Sequence, residues 1–133
     1  MILLDTQVCI WWTADGDKLS ERHRQIIEAG ERDGIAISAI TVWEAAMLVS
    51  KGRIDLASTS QQWLARIMAI PTLHIVPASP QILIDSTQLP GEFHKDPADR
   101  IIVATARSMG STLLTTDAKI LSYQHVVTAG PTP

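Results

Sequence analysis

The acidic residues of this chain gather at particular points along it. Asp5 directly follows the apolar run Ile2-Leu3-Leu4, and Glu44 falls in the first turn of the helix expected after Ile35-Ala36-Ile37. Asp96 and Asp99 flank Pro97 at the start of a second apolar helix, and Asp117 lies in Thr115-Thr116-Asp117, just past Leu113-Leu114. Carboxylates held within a few ångströms of one another repel, raise one another's pKa and destabilise the fold, and a bound cation removes that cost. Oxygen-only donors suit a hard divalent ion, Mg²⁺ or Mn²⁺, with water and phosphate in the remaining positions. On an α/β scaffold such a site is fitted to phosphoryl-transfer or phosphodiester chemistry, because the ion polarises a phosphoryl oxygen and lowers the pKa of the attacking water.

Each acid also has a local explanation. Thr41-x-x-Glu44 reads as a capping box, with Thr41 as N-cap and Glu44 at N3. Asp96-Pro97-Ala98-Asp99 supplies an N-cap, a first-turn proline and an acid at N3. Asp5 and Asp117 can each cap the helix that follows, and the helix macrodipole favours carboxylates at such positions whatever the function. The conjunction is what argues for more. In a parallel sheet the strand-to-helix junctions share one edge, and open α/β folds bind ligands along it. Asp5, Glu44, Asp99 and Asp117 would converge there, and Glu44 is the sole charge in the stretch Val42–Val49.

The elements that must position these acids follow from the hydrophobic pattern. Ile2-Leu3-Leu4, Ile35-Ala36-Ile37, Leu73-His74-Ile75-Val76 and Leu113-Leu114 read as buried strands, with Val126-Val127 a weaker fifth. Between them lie helical patterns: Leu19, Ile26, Ile27 and Gly30 behind a Ser20 cap, Trp63, Leu64, Ile67 and Met68 behind Ser60, and a helix opened by Ser79-Pro80. Alternation of strands and helices implies crossover connections, hence an α/β fold of three layers with a central parallel sheet of four to five strands flanked by helices. Val42–Val49 and Ile101–Ala106 are apolar nearly all round, so each is expected against the sheet or against a partner. Leu89–Lys95 is the one long irregular connection. A domain over residues 1–127 is expected, with 128–133 as a frayed tail.

Composition sets the outer limits. At 133 residues the chain is one domain, and 46% hydrophobic with 19% charged residues excludes disorder. A single cysteine, Cys9, excludes a disulfide framework. The start Met-Ile-Leu-Leu-Asp carries no basic leader and no apolar run approaches a membrane span, so a soluble cytoplasmic protein is expected. A net charge of −3 argues against a protein that coats nucleic acid through a broad basic face, but not against one that grips phosphates locally. Asp5-Thr6-Gln7 lacks the second acid of an aspartyl phosphatase, and neither phosphate-binding glycine motif nor a hydrolase elbow occurs. The four histidines have no zinc-ligand spacing. Metal-dependent nuclease chemistry remains the best fit.

Met1-Ile-Leu-Leu-Asp5-Thr6, Ser38-Ala-Ile-Thr41-Val-Trp-Glu44, His94-Lys-Asp-Pro-Ala-Asp99-Arg-Ile-Ile-Val-Ala-Thr-Ala106 and Leu114-Thr-Thr-Asp117 occur in the order seen in PIN-domain ribonucleases. From Met1 to about Tyr123 the chain resembles the VapC toxins of toxin–antitoxin pairs. The resemblance implies that Asp5, Glu44, Asp99 and Asp117 form a catalytic quartet, with Asp5, Asp99 and Asp117 as the metal ligands. Thr6 and Thr115 would support the site, and Asp96 is extra to the quartet: a cap, an i,i+4 partner for Arg100, or an outer contact to the metal. Gln7 departs from the histidine or asparagine that relatives often carry. The implied reaction is hydrolysis of RNA to a 3′-hydroxyl and a 5′-phosphate. A homodimer is implied too, as is a VapB-like antitoxin whose C-terminal segment lies in an apolar groove and reaches the active site.

Trp11 and Trp12 are adjacent, and neighbouring helical positions diverge by about 100°, so one of them is a candidate for that groove, while packing under the loop after Thr13 suits either. Arg100 and Arg107 are candidates for RNA phosphates, with helix surface charge as the simpler explanation. Two alternatives stay open: a non-catalytic PIN-like module that binds RNA or protein and whose acids are helix caps, and the same metal chemistry turned on single-stranded DNA or a flap.

Overall fold

Apolar runs too short for helices form five parallel strands in the computed structural model, which describes residues 1–14 and 16–133. They are β1 (Ile2–Leu4), β2 (Ile35–Ser38), β3 (Leu73–Val76), β4 (Thr112–Leu114) and β5 (Thr128–Ala129), in the order β3-β2-β1-β4-β5. Helices α1 (Thr6–Thr13) and α2 (Glu21–Gly30) join β1 to β2, and α3 (Ala39–Ser50) and α4 (Ser60–Met68) join β2 to β3. Helices α5 (Pro80–Thr87) and α6 (Pro97–Met109) lead to β4, and α7 (Ala118–Leu121) leads to β5.

The sheet has register Ile2↔Ile35 and Ile2↔Thr112, so β1 is flanked on both sides and its residues alternate between two buried faces. Leu4, Ile35, Ile37 and Leu114 pack with Val8, Ile27, Trp63 and Ile67 on one face. Leu3, Ala36 and Leu113 pack with Ile82, Ile102, Val103 and Ile120 on the other. This is the three-layer arrangement expected from the alternating pattern.

Helix boundaries follow local chemistry. Ser20 caps α2 through His23 N, Ser79 caps α5 ahead of Pro80, and Asp96 caps α6 ahead of Pro97. Gly110, with φ +61°, ends α6 in the left-handed conformation that a Cβ disfavours. Three local expectations are corrected. The cap of α4 is Thr59, not Ser60, because Gln62 returns a hydrogen bond to the Thr59 amide and completes a capping box. Thr41 and Glu44 form no capping box: Ser38 caps α3 three residues earlier, which leaves Thr41 buried inside the helix. The last strand is Thr128–Ala129 rather than Val126-Val127, so the stretch read as a frayed tail carries β5. Ala129 is 7% exposed, its carbonyl is hydrogen-bonded to buried His23 Nε2 at 2.8 Å, and Arg22 donates to the carbonyls of Gly130 and Thr132.

The two apolar helices have different fates. Residues 102–106 of α6 are all buried. Helix α3 buries only Thr41 and Ala45 fully, and Trp43 is 56% exposed.

Candidate active site

The chain leaves β1 for β2 and β3 on one side and returns for β4 and β5 on the other, so the strand order reverses between β1 and β4. Diverging connections open a crevice there, at the carboxyl ends of the strands. Asp5 and Thr115 each begin one residue past those two strands. The Asp5 amide donates to the Leu114 carbonyl at 2.9 Å, extending the ladder by one bond. Asp5 Oδ1 accepts from the Thr6 amide at 2.8 Å as the cap of α1, and Oδ2 accepts from the Thr115 hydroxyl at 2.6 Å. The same hydroxyl accepts from the Asp117 amide at 3.0 Å. One threonine thus ties the first and last strand-end acids together.

The other acids arrive on helices. The Thr6 and Thr41 hydroxyls meet at 3.1 Å and join α1 to α3, one turn before Glu44. Asp96 Oδ1 accepts from the Asp99 amide at 3.0 Å, and Asp117 Oδ1 accepts from the Lys119 amide at 2.8 Å. Asp5, Thr6, Gln7, Glu44, Asp99 and Asp117 line a cleft of about 280 Å³. Glu44, Asp96 and Asp99 each bring a carboxylate oxygen within 4.8 Å of the others. Asp96, which the sequence offers as an extra acid, therefore stands within ligand distance of two members of the quartet. Capping and ligation do not compete here, since Asp96 and Asp117 each cap through one oxygen and keep the second.

The electrostatics are those of a site short of positive charge. Burial, followed by repulsion from Asp5, Asp96, Asp117 and Glu44, pushes Asp99 up from 3.8 to about 8. Asp5 is raised chiefly by burial, against which the Thr115 and Thr6 hydrogen bonds work. Glu44 is raised by burial and by the charges of Asp5 and Asp96. A hard divalent cation fits this donor set: the oxygens are close enough to share it, and its charge cancels the repulsion.

His94 was given no role by spacing, yet its Nε2 lies 2.9 Å from Asp99 Oδ2. The signal for it was tertiary: the 88–96 connection folds back over the first turn of α6. Arg100 holds that connection down. Its Nε donates to the Ser86 carbonyl at 2.7 Å and its Nη1 to the carbonyls of Phe93 and His94 at 3.0 and 3.2 Å. The Asp96–Arg100 pair does not form, and the guanidinium offered to RNA phosphates is engaged by backbone. Arg107 donates to the His125 carbonyl. Trp11 and Trp12 are both half-buried against the core, but only Trp11 lines the groove of about 390 Å³ between α1 and residues 53–55. Gln7 lines both that groove and the acidic cleft. Among the described residues no helix is long and apolar enough to cross a membrane.

Known proteins share this architecture. The chain is 36% identical over 124 residues to Ribonuclease VapC22 of Mycobacterium tuberculosis, covering 93% of this chain and 92% of that one. It superimposes on FitAcB from Neisseria gonorrhoeae with a TM-score of 0.72 at 24% identity, over 98% of both chains. For VapBC2 from Rickettsia felis bound to a promoter DNA fragment the TM-score is 0.68 at 21% identity, over 98% of both chains. For VapC20 of Mycobacterium tuberculosis, a sarcin–ricin-loop-cleaving toxin, it is 0.66 at 15% identity, over 96% of this chain and 99% of that one. The PIN domain family profile matches residues 2–126, a span that holds the strand-end acids and the helices that present them, and this chain belongs to the PIN domain family.

Proposed function

We propose that this chain is a Mg²⁺- or Mn²⁺-dependent endoribonuclease, the toxin of a cytoplasmic toxin–antitoxin pair. The observation that carries the reading is the convergence of Asp5, Glu44, Asp96, Asp99 and Asp117 on one crevice, with Asp99 raised to about 8 by burial and by the other four. A bound divalent ion supplies charge for the scissile phosphate and acidifies the attacking water. Asp5, Asp99 and Asp117 are the residues to hold it. Thr115 fixes the Asp5 carboxylate and, through the Asp117 amide, the turn beyond it. Glu44, half-buried and raised, is suited to accept the proton of the water. Likeness to Ribonuclease VapC22 supports RNA as the substrate.

Control by a partner is part of the proposal. The Trp11-lined groove adjoins the cleft through Gln7, so an extended antitoxin segment seated there can reach the carboxylates. The half-exposed apolar face of α3, with Trp43, is suited to a homodimer or antitoxin contact.

The deciding experiment is RNA cleavage by purified protein with Mn²⁺, Mg²⁺ or EDTA, beside Asp99→Asn prepared identically. Metal-dependent cutting by wild type and none by the variant is the expected result. Capping bonds at Asp5, Asp96 and Asp117 favour a second reading, a non-catalytic binding module. That reading requires no cutting and no thermal stabilisation by either ion, and offering single-stranded DNA in parallel separates the substrate classes.

A further inference from the structure

The chain's only phenylalanine and only tyrosine, with two of its four histidines, meet in one place. His94 packs on Phe93 at 4.5 Å between ring centroids, Phe93 on Tyr123 at 4.8 Å, and Tyr123 on His125 at 5.4 Å. These rings line an open groove of about 450 Å³ between the 88–96 connection and the end of α7, with Lys119 and Gln124 on its rim. Tyr123 is buried, and Phe93 packs on the core beside it, but Phe93, His94 and His125 all stay partly in water. At its inner end the row touches the acidic cleft, because His94 Nε2 is 2.9 Å from Asp99.

We infer that this groove is a nucleobase subsite, which receives the base next to the scissile phosphate. The inference rests on the nucleolytic reading of the acidic cleft. Base stacking on aromatic faces is tolerant of sequence and recurs wherever proteins bind single-stranded nucleic acid. The charge distribution fits: the cleft itself repels a polyanion, whereas Lys119 at the groove rim and Arg107, hydrogen-bonded to the His125 carbonyl, place cations beside the path of the backbone. Glu92 also lines the groove and can accept from an exocyclic amine. The Tyr123 hydroxyl donates to the Pro90 carbonyl and Arg100 clamps Phe93 and His94, so the platform is preformed.

The four histidines make the test direct, since His23 is in the core and His74 is on β3. Imidazole resonances of wild-type protein with Mg²⁺ are followed while adenosine 5′-monophosphate, adenosine 3′-monophosphate or ribose 5-phosphate is added. Movement of His94 and His125 with at least one nucleotide, and no movement of His125 with ribose 5-phosphate, is the expected result. His125 still at saturating nucleotide, or shifted equally by ribose 5-phosphate, overturns the subsite. In cleavage, His125→Ala should raise KM about tenfold with kcat nearly unchanged, and His125→Phe should restore it. Unchanged KM in both variants also overturns the subsite. Absence of metal-dependent cleavage by wild type is a separate failure, that of the nuclease reading, and leaves the imidazole titration able to decide the groove.

Discussion

Asp99 shows how much one carboxyl can carry. In the unfolded chain it titrates near 3.8, in the folded chain at about 8, so between those values the native state binds more protons than the unfolded one. Stability of the metal-free protein therefore falls as pH rises through that window, the sense opposite to that of a salt-bridged acid. Thermal melts in EDTA should show a falling midpoint from pH 5 to about 8, flatter in Asp99→Asn, and a flat or rising midpoint in the wild type would remove from the account both the burial of Asp99 and its repulsion by the neighbouring acids. Added metal competes with the protons, so its stabilisation should grow with pH and reach ~2.7 kcal/mol at a hundredfold excess over Kd. Thr115 is the second test at this scale. Thr115→Val removes a donor to Asp5 and an acceptor for the Asp117 amide, and should cost ~1–3 kcal/mol together with weaker metal binding. A variant that keeps both would show that the hydroxyl only fills space. Cys9, wholly buried and pushed up to about 12, stays an inert thiol.

Among the elements, the 88–96 connection departs furthest from its appearance in sequence. Pro90, Gly91 and the polar residues around them read only as a long irregular connection, and Arg100, Tyr123 and the ring row pin it at Pro90, Phe93 and His94. Arg100→Met keeps the aliphatic stem and deletes the three donors, so it should lower stability by ~1–3 kcal/mol and speed amide exchange across residues 88–96. Unchanged exchange there would mean that ring packing alone holds the segment. The caps of α2, α5 and α6 were readable because each uses a side chain within three residues of the amide it satisfies. The cap of α3 was misplaced for the same reason in reverse: Ser38 belongs to β2 and caps the helix from inside the strand, while Thr41 turns inward to Thr6, a partner 35 residues away.

At the scale of the whole molecule, β5 links the chain's end to its site. The Thr115 amide donates to the Ala129 carbonyl, which also meets His23, so the strand that fixes Thr115 comes from the segment that looks like tail. Truncation after Val127 should destabilise the protein by well over the ~0.5 kcal/mol of a neutral surface change and also weaken metal binding. Equal stability of the truncated chain, by denaturant midpoint, would make β5 ornamental.

The order of strands and helices, the parallel sheet and the meeting of Asp5, Glu44, Asp99 and Asp117 at one edge could be read without coordinates, because each rests on short-range periodicity or on the topological rule that strand-to-helix junctions share an edge. Tertiary structure alone decided the rest. Asp96 draws within 4.8 Å of Glu44 and Asp99, His94 turns onto Asp99, Arg100 spends its charge on backbone carbonyls, and Phe93 and Tyr123 build one groove. Each of these depends on where a side chain points once two distant segments have packed, and residue type with spacing carries no information about that direction.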